Sequence, residues 1–209
     1  MYIAPVDATL GEDEWRPFVE ANQFGHLVAA GRQREVPVVV PTQFVLEGNT
    51  VRLHLVRANP IFGAITENPK VIVSIAGDWA FIPSAWKAVG DEDPALGIPT
   101  TYYAAVQLTG TASILDERTV PGSVAAVLRR QLDAYQPGVT VADPAEAHQQ
   151  RMQTILGIHV EIESVAAKFK YGGNVDEAHR LAVVDRLAQR NGPGDAAAAT
   201  QTLRRLDAG

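Results

Sequence analysis

The spacing of apolar residues changes several times along the chain, and each change marks an element. Trp15, Phe18 and Val19 stand at i, i+3 and i+4, one helical face, and predict a short amphipathic helix over 12–22. Glu12, Asp13 and Glu14 suit its first turn, where the backbone dipoles favour negative charge. A strand over 26–30 follows, then a polar turn and a β-rich run over 36–46 broken by Pro37 and Pro41. In 50–56, Val51, Leu53 and Leu55 share one face and Arg52, His54 and Val56 the other, the two-residue period of a strand. Glu47-Gly48-Asn49 between these runs predicts a hairpin. Pro60 sits where a short helix over 60–67 begins, and Asn68-Pro69 stops it.

The second half continues the pattern. Residues 71–76 read as a buried strand, Gly77-Asp78 as a turn, and 79–82 as another strand. Residues 83–99 hold Pro83, Gly90, Pro94, Gly97 and Pro99 and predict a long loop, a kind of segment that is often functional. A long strand spans 100–114, with Gly110 as a bulge or bend. Helical spacing from Val124 to Tyr135 ends at Pro137-Gly138. Asp143-Pro144-Ala145-Glu146 supplies a cap and a first-position proline for a helix reaching about Leu156, closed by Gly157. Residues 158–165 alternate as a strand, 176–190 read as a helix, and 195–207 as an Ala-rich helix or tail. Six or seven short strands with hairpin turns predict a mainly β fold, a small antiparallel barrel with helices packed outside.

Composition narrows the function. The 209 residues include no cysteine, which removes disulfides, thiol catalysis and thiolate metal sites and fits a reducing, cytoplasmic setting. No run approaches the ~18 apolar residues of a membrane span, and Met1 to Ala8 shows no secretory pattern. With 18 basic against 24 acidic residues the net charge is −6, which argues against direct DNA binding, since that depends on neutralising phosphates. The Ala- and Arg-rich usage suits a GC-rich bacterial gene. Neither the Gly-rich dinucleotide fingerprint nor the P-loop pattern occurs, and no nucleophile elbow of the Gly-x-Ser-x-Gly type is present. The five histidines are scattered, so no metal site is expected.

Four segments carry candidate chemistry. Arg57-Ala58-Asn59-Pro60 places an arginine beside a helix start, a pair suited to a phosphate, although spacing alone favours Arg57 as a surface residue and Asn59 as a plain cap. Ser84 and Trp86 end a strand with a hydroxyl and an indole, as a core tryptophan also would. Thr100, Thr101, Tyr102 and Tyr103 open the long strand with four hydroxyls, alternating in direction. Lys168 and Lys170 alternate on either side of Phe169, as a solvated edge also would.

These stretches, taken in order, resemble the PaiB family of FMN-binding negative transcriptional regulators. The resemblance rests on Met1-Tyr2-Ile3-Ala4-Pro5, Asn22 to Val28, Leu53 to Pro60, Ala80 to Trp86, Ile98-Pro99-Thr100 and Ile155 to Ile158, and covers residues 1 to about 180. It implies the FMN-binding split barrel, a six-stranded Greek-key-like barrel shared with pyridoxamine-phosphate oxidases and flavin reductases, and a homodimer with flavin between its subunits. It implies an FMN domain over 1–190 and a helical or flexible tail over 191–209. It also implies that Arg57 and Asn59 lie near the FMN phosphate, Ser84 and Trp86 in the flavin loop, Thr100, Thr101 and Tyr102 along the site, and Lys168 beside it. The chain departs from the family pattern at Pro41, where a histidine is usual, at Thr101 to Tyr103, and at Tyr171 to Asn174. Two functions stay open: a dimeric flavoprotein with redox activity on a small substrate, since flavin itself carries such chemistry, and a non-enzymatic regulator or ligand sensor that has lost FMN.

Overall fold

The computed structural model describes residues 1–140, 142–144 and 148–208. Among these, seven strands pair: β1 (Phe24–Ala29), β2 (Val38–Gln43), β3 (Val45–Glu47), β4 (Thr50–Val56), β5 (Lys70–Ile82), β6 (Thr100–Leu115) and β7 (Ile155–Lys170). Their order is β2-β1-β5-β6-β7-β4-β3. The two strands at the ends of this order are neighbours in the chain, and the sheet is split rather than closed. The 36–46 run divides at Phe44 into β2 and β3, while the two strands expected over 71–76 and 79–82 join as β5, so the count stays within the six or seven expected. The helices are α1 (Glu12–Ala21), α2 (Ile61–Glu67), α3 (Ser123–Tyr135), α4 (Gln149–Met152), α5 (Glu177–Arg190) and α6 (Asp195–Asp207). No helix among the described residues is long and apolar enough to cross a membrane.

The hairpin at Glu47-Gly48-Asn49 joins β3 to β4, with Glu47 opposite Thr50. Pro41 is tolerated because β2 ends the strand order, where a missing N–H leaves no ladder bond unmade; it lies opposite His26. Three expectations need correction. Gly77-Asp78 is not a turn between strands: β5 runs through it, with Asp78 in the left-handed region at φ 51°. The helix expected up to Leu156 stops at Met152, and Gly157 lies inside β7; Ala145 and Glu146, which were to begin it, lie outside the described residues. At Gly110 β6 runs on without a break. A side chain there would strike the Glu161 carbonyl, so glycine permits a close approach of two backbones.

The chain forms two compact units. One comprises Arg16–Ile75 and Gln107–Val165. Its core gathers Leu27, Val51, Leu53, Val73, Leu108, Ile158 and Val160, the inward half of each strand's alternation, with Ile61 from α2, all fully buried. The other comprises Met1–Trp15, Ala76–Val106 and Ala166–Gly209, with Ile82, Tyr102, Phe169, Tyr171, Leu187 and Ala198 buried. In this second unit α5 packs on α6 and on a single helical turn at Ser84–Lys87. Two buried carboxylates fix α6. Asp195, 1% exposed, accepts from Arg190 Nε at 2.8 Å and from the Gly192 amide at 2.8 Å. Glu14, 2% exposed, accepts from Arg204 at 2.6 Å, Arg205 at 2.8 Å and the Leu10 amide at 2.7 Å. Charges this deep are tolerated only when their lone pairs are met, as they are at both sites.

Candidate functional site

The unit holding both chain ends contains a cavity of about 310 Å³ lined by Asp7, Lys87, Thr100, Tyr102, Lys170 and Asn174. Three features of the sequence build it. The 83–99 segment folds into two single helical turns, Ser84–Lys87 and Pro94–Leu96, rather than an irregular loop, and so carries Lys87 to the wall. Strand β6 begins at Thr100, and its alternation puts Thr100 and Tyr102 on one face. Strand β7 ends at Lys170, whose ammonium donates to Thr100 Oγ1 at 2.7 Å. The chain then turns at Gly172 with φ 76°, where any side chain would collide with the Tyr102 hydroxyl. Glycine is required both for that backbone angle and for passage over the phenol.

The cavity wall carries two ammonium groups against one carboxylate, Asp7, which faces Lys168 at 3.6 Å. Burial pulls the Lys87 ammonium below the usual lysine range, and the charge of Lys170 adds to the effect. Two ammonium groups thus crowd one cavity wall. Tyr102 is 1% exposed, and its hydroxyl has no hydrogen-bond partner among the described residues. Burial pushes that phenol up to about 12, against the charge of Arg180, so it is a donor and not an anion at neutral pH. Buried hydroxyls are nearly always paired; this one is packed beneath Gly172, near Arg180.

A second cavity, of about 470 Å³, shares Lys87, Ile98 and Asn174 with the first and is bounded by Glu92, Leu96 and His179. Both volumes fall in the ~300–1,000 Å³ range of small-molecule sites.

The residues singled out in the sequence have different fates. Thr100 and Tyr102 line the first cavity; Thr101 alternates with them on β6. Ser84 lends its carbonyl to a close contact with Gly97. Trp86 carries the Arg190 guanidinium over its ring at 4.5 Å. Lys168, nearly buried, lies 3.6 Å from the Asp7 carboxylate, donates to the Tyr2 carbonyl at 3.3 Å and sits over the rings of Tyr2 and Tyr103. Lys87, Asn174 and His179 were missed, as single residues in turns and helices without a repeating pattern. One signal was available: in an arginine-rich chain only Lys70, Lys87, Lys168 and Lys170 are lysines, and three of these four belong to this unit.

Arg57 and Asn59 lie in the other unit. Arg57 donates to both Asp116 oxygens, at 2.6 and 2.7 Å, and through Nε to the Gln153 carbonyl at 3.0 Å. Asn59 Oδ1 accepts from the Ile61 amide at 3.0 Å, capping α2. Hydrogen bonding from Arg57 holds the Asp116 carboxyl down to about 2. A depressed carboxylate stabilises the fold above its unfolded value of 3.8, and that contribution disappears as pH falls through about 2. Arg57→Ala is therefore expected to lower stability by roughly 1 kcal/mol at neutral pH, the upper end for a partly exposed bidentate pair. Denaturant titrations in steps below pH 4 should show the variant and parent converging.

Comparison with known proteins speaks for the family and the fold. Residues 1–164 match the family described as "Putative FMN-binding domain". The Bacillus subtilis (strain 168) protein named Protease synthase and sporulation protein PAI 2 is 22% identical over 197 residues, covering 92% of each chain. Among solved structures, the flavocytochrome Anf3 from Azotobacter vinelandii superposes with a TM-score of 0.59 at 20% identity, covering 84% of this chain and 74% of that one. The FAD and heme binding protein from Mycobacterium smegmatis gives 0.59 at 15% identity, covering 84% and 79%. At these identities the two structures speak for the fold alone.

Proposed function

We propose, from the fact that the chain belongs to the FMN-binding domain family, that the cavity walled by Lys87, Thr100, Tyr102 and Lys170 holds FMN, in a flavoprotein of PaiB type. The observation that carries this reading is that Lys87 and Lys170, the latter held by the Thr100 hydroxyl, line one cavity. The residues fit the group. Lys87 and Lys170 supply charge for a phosphate, Thr100 a hydroxyl, and Tyr102 a donor for an oxygen or nitrogen of the ligand. The Arg57 corner fits less well, because its guanidinium already serves Asp116. Bound FMN supplies hydride and single-electron chemistry on its ring; the chain's share is to bind, orient and exclude water. Ser84 and Trp86 shape the loop that carries Lys87, and Lys168 anchors the N-terminal segment that contributes Asp7.

In this reading the protein works as a homodimer with redox activity on a small substrate. The exposed Trp79 and Phe81, at i and i+2 on β5, support a face that pairs with a second copy. Sedimentation should then give about twice the chain mass of 22.5 kDa, and a monomer would remove the dimer from the proposal.

Purified protein loaded with FMN should be yellow and retain the flavin through gel filtration; protein that stays colourless with excess FMN refutes the reading. Tyr102→Phe gives a sharper test because two effects have opposite signs. Without ligand the variant loses an unsatisfied buried hydroxyl, so it should be as stable as the parent or more stable by up to about 1 kcal/mol. With FMN it lacks a donor, and affinity should fall on the order of tenfold.

A further inference from the structure

The second cavity lies between the 88–98 segment and the start of α5, and one histidine joins the two. His179 Nδ1 is 2.6 Å from Asp176 Oδ1, and its Nε2 is 2.9 Å from Glu92 Oε2. A carboxylate only accepts hydrogen bonds, so each ring nitrogen must carry a proton to make both contacts. A neutral imidazole has one proton and can satisfy one carboxylate. We propose that His179 is a pH-operated latch that closes the 88–98 segment over the cavity while doubly protonated and releases Glu92 when it becomes neutral.

The surroundings decide which contact fails. Asp176 also caps α5, accepting from the His179 amide at 3.0 Å, so it is held twice by the same residue. The other tie of Glu92 is to the Val89 amide, within its own segment, at 3.0 Å. The Glu92 contact is therefore the one that yields. Nearer its start the segment is fastened independently: Arg186 donates to the Ala85 carbonyl at 2.5 Å and to the Ala88 carbonyl at 3.3 Å. Motion thus begins beyond Ala88, where Gly90 takes the left-handed angle φ 63° that glycine adopts without strain. The charged groups facing His179 are Asp176 from its own helix and Glu92 from the segment; Lys87 and Asp93 line the same cavity. Asp93 is occupied in capping the Pro94–Leu96 turn through the Ala95 amide at 2.9 Å.

The sign follows from the partners. Asp176 first and Glu92 second raise His179 above the ordinary histidine value, so the latch is shut below that value and opens as pH rises through the raised one. Cavity and latch exist in the chain itself; only the consequence, control of flavin or substrate entry, rests on the function proposed above.

Hydrogen exchange of the ligand-free full chain tests the device. After correction for intrinsic rates, protection of amides 89–98 should drop on the order of tenfold between pH 6 and pH 9, while β4 keeps its protection. His179→Ala should leave the segment unprotected at both pH values. Glu92→Gln should flatten the response, because an amide can accept from the charged ring or donate to the neutral one. Unchanged wild-type protection across this range, or a wild-type pH response in Glu92→Gln, overturns the proposal. Since no flavin is present, failure here leaves the flavin reading intact, and failure to bind FMN leaves the latch intact.

Discussion

Glu14→Ala is expected to lower the unfolding free energy by about 3 kcal/mol, read from the urea midpoint at constant slope. The carboxylate is 2% exposed and serves Arg204, Arg205 and the Leu10 amide. Removing it leaves Arg205, only 9% exposed, without its main counter-charge, and breaking one side of a buried pair is far more damaging than losing a surface contact. Arg204→Ala should be milder, near 1 kcal/mol, because that side chain is 38% exposed and Arg205 still serves the carboxylate. Equal effects of the two substitutions would show that the Arg204 pair, and not the buried Arg205 pair, carries the stabilisation.

Lys170→Ala should weaken FMN on the order of 10- to 100-fold, the worth of one charge-assisted hydrogen bond to a phosphate. Riboflavin, which lacks the phosphate, should change by no more than about threefold. Lys170 reaches Thr100 and shares a wall with Lys87, so Lys87→Ala should show the same selectivity with a smaller loss, its ammonium being already held below the usual lysine range. Equal losses of both ligands would move the phosphate elsewhere, with the Arg57 corner the next place to test.

Much of the fold was legible because burial imposes a period. β4 and β6 were visible in their alternation and the hairpin before β4 in Gly48-Asn49; the helix α5 was read from Leu181, Val184 and Leu187, but it buries Val183 and Leu187 and leaves Leu181 exposed. The misreadings share a cause: residues with turn chemistry were given their local meaning while tertiary packing used them otherwise. Asp78 adopts a left-handed angle inside β5, where the Tyr171 hydroxyl donates to its carbonyl at 2.9 Å and Gln201 to its carboxylate at 2.7 Å. Burial raises the Tyr171 phenol far above its ordinary value, so it stays a donor. Gly157 and Gly110 serve as strand positions for the same reason. The site was legible in half. Thr100 and Tyr102 stand where the strand pattern put them, whereas Lys87, Asn174, Glu92 and His179 meet only through folding. Glu14 looked like an ordinary first-turn acid, and nothing in its neighbours announces Arg204 and Arg205 almost the whole chain away.

The arginine stacked on Trp86 gives the molecule a built-in optical reporter. That indole lies half-buried beneath Arg190, which is also fastened to Asp195 and to the Phe81 carbonyl, whereas Trp15 is buried and Trp79 faces solvent. Its emission should be sensitive to the same loop that carries Lys87, and a nearby flavin would quench it by energy transfer. Titrations can then be followed in unlabelled protein.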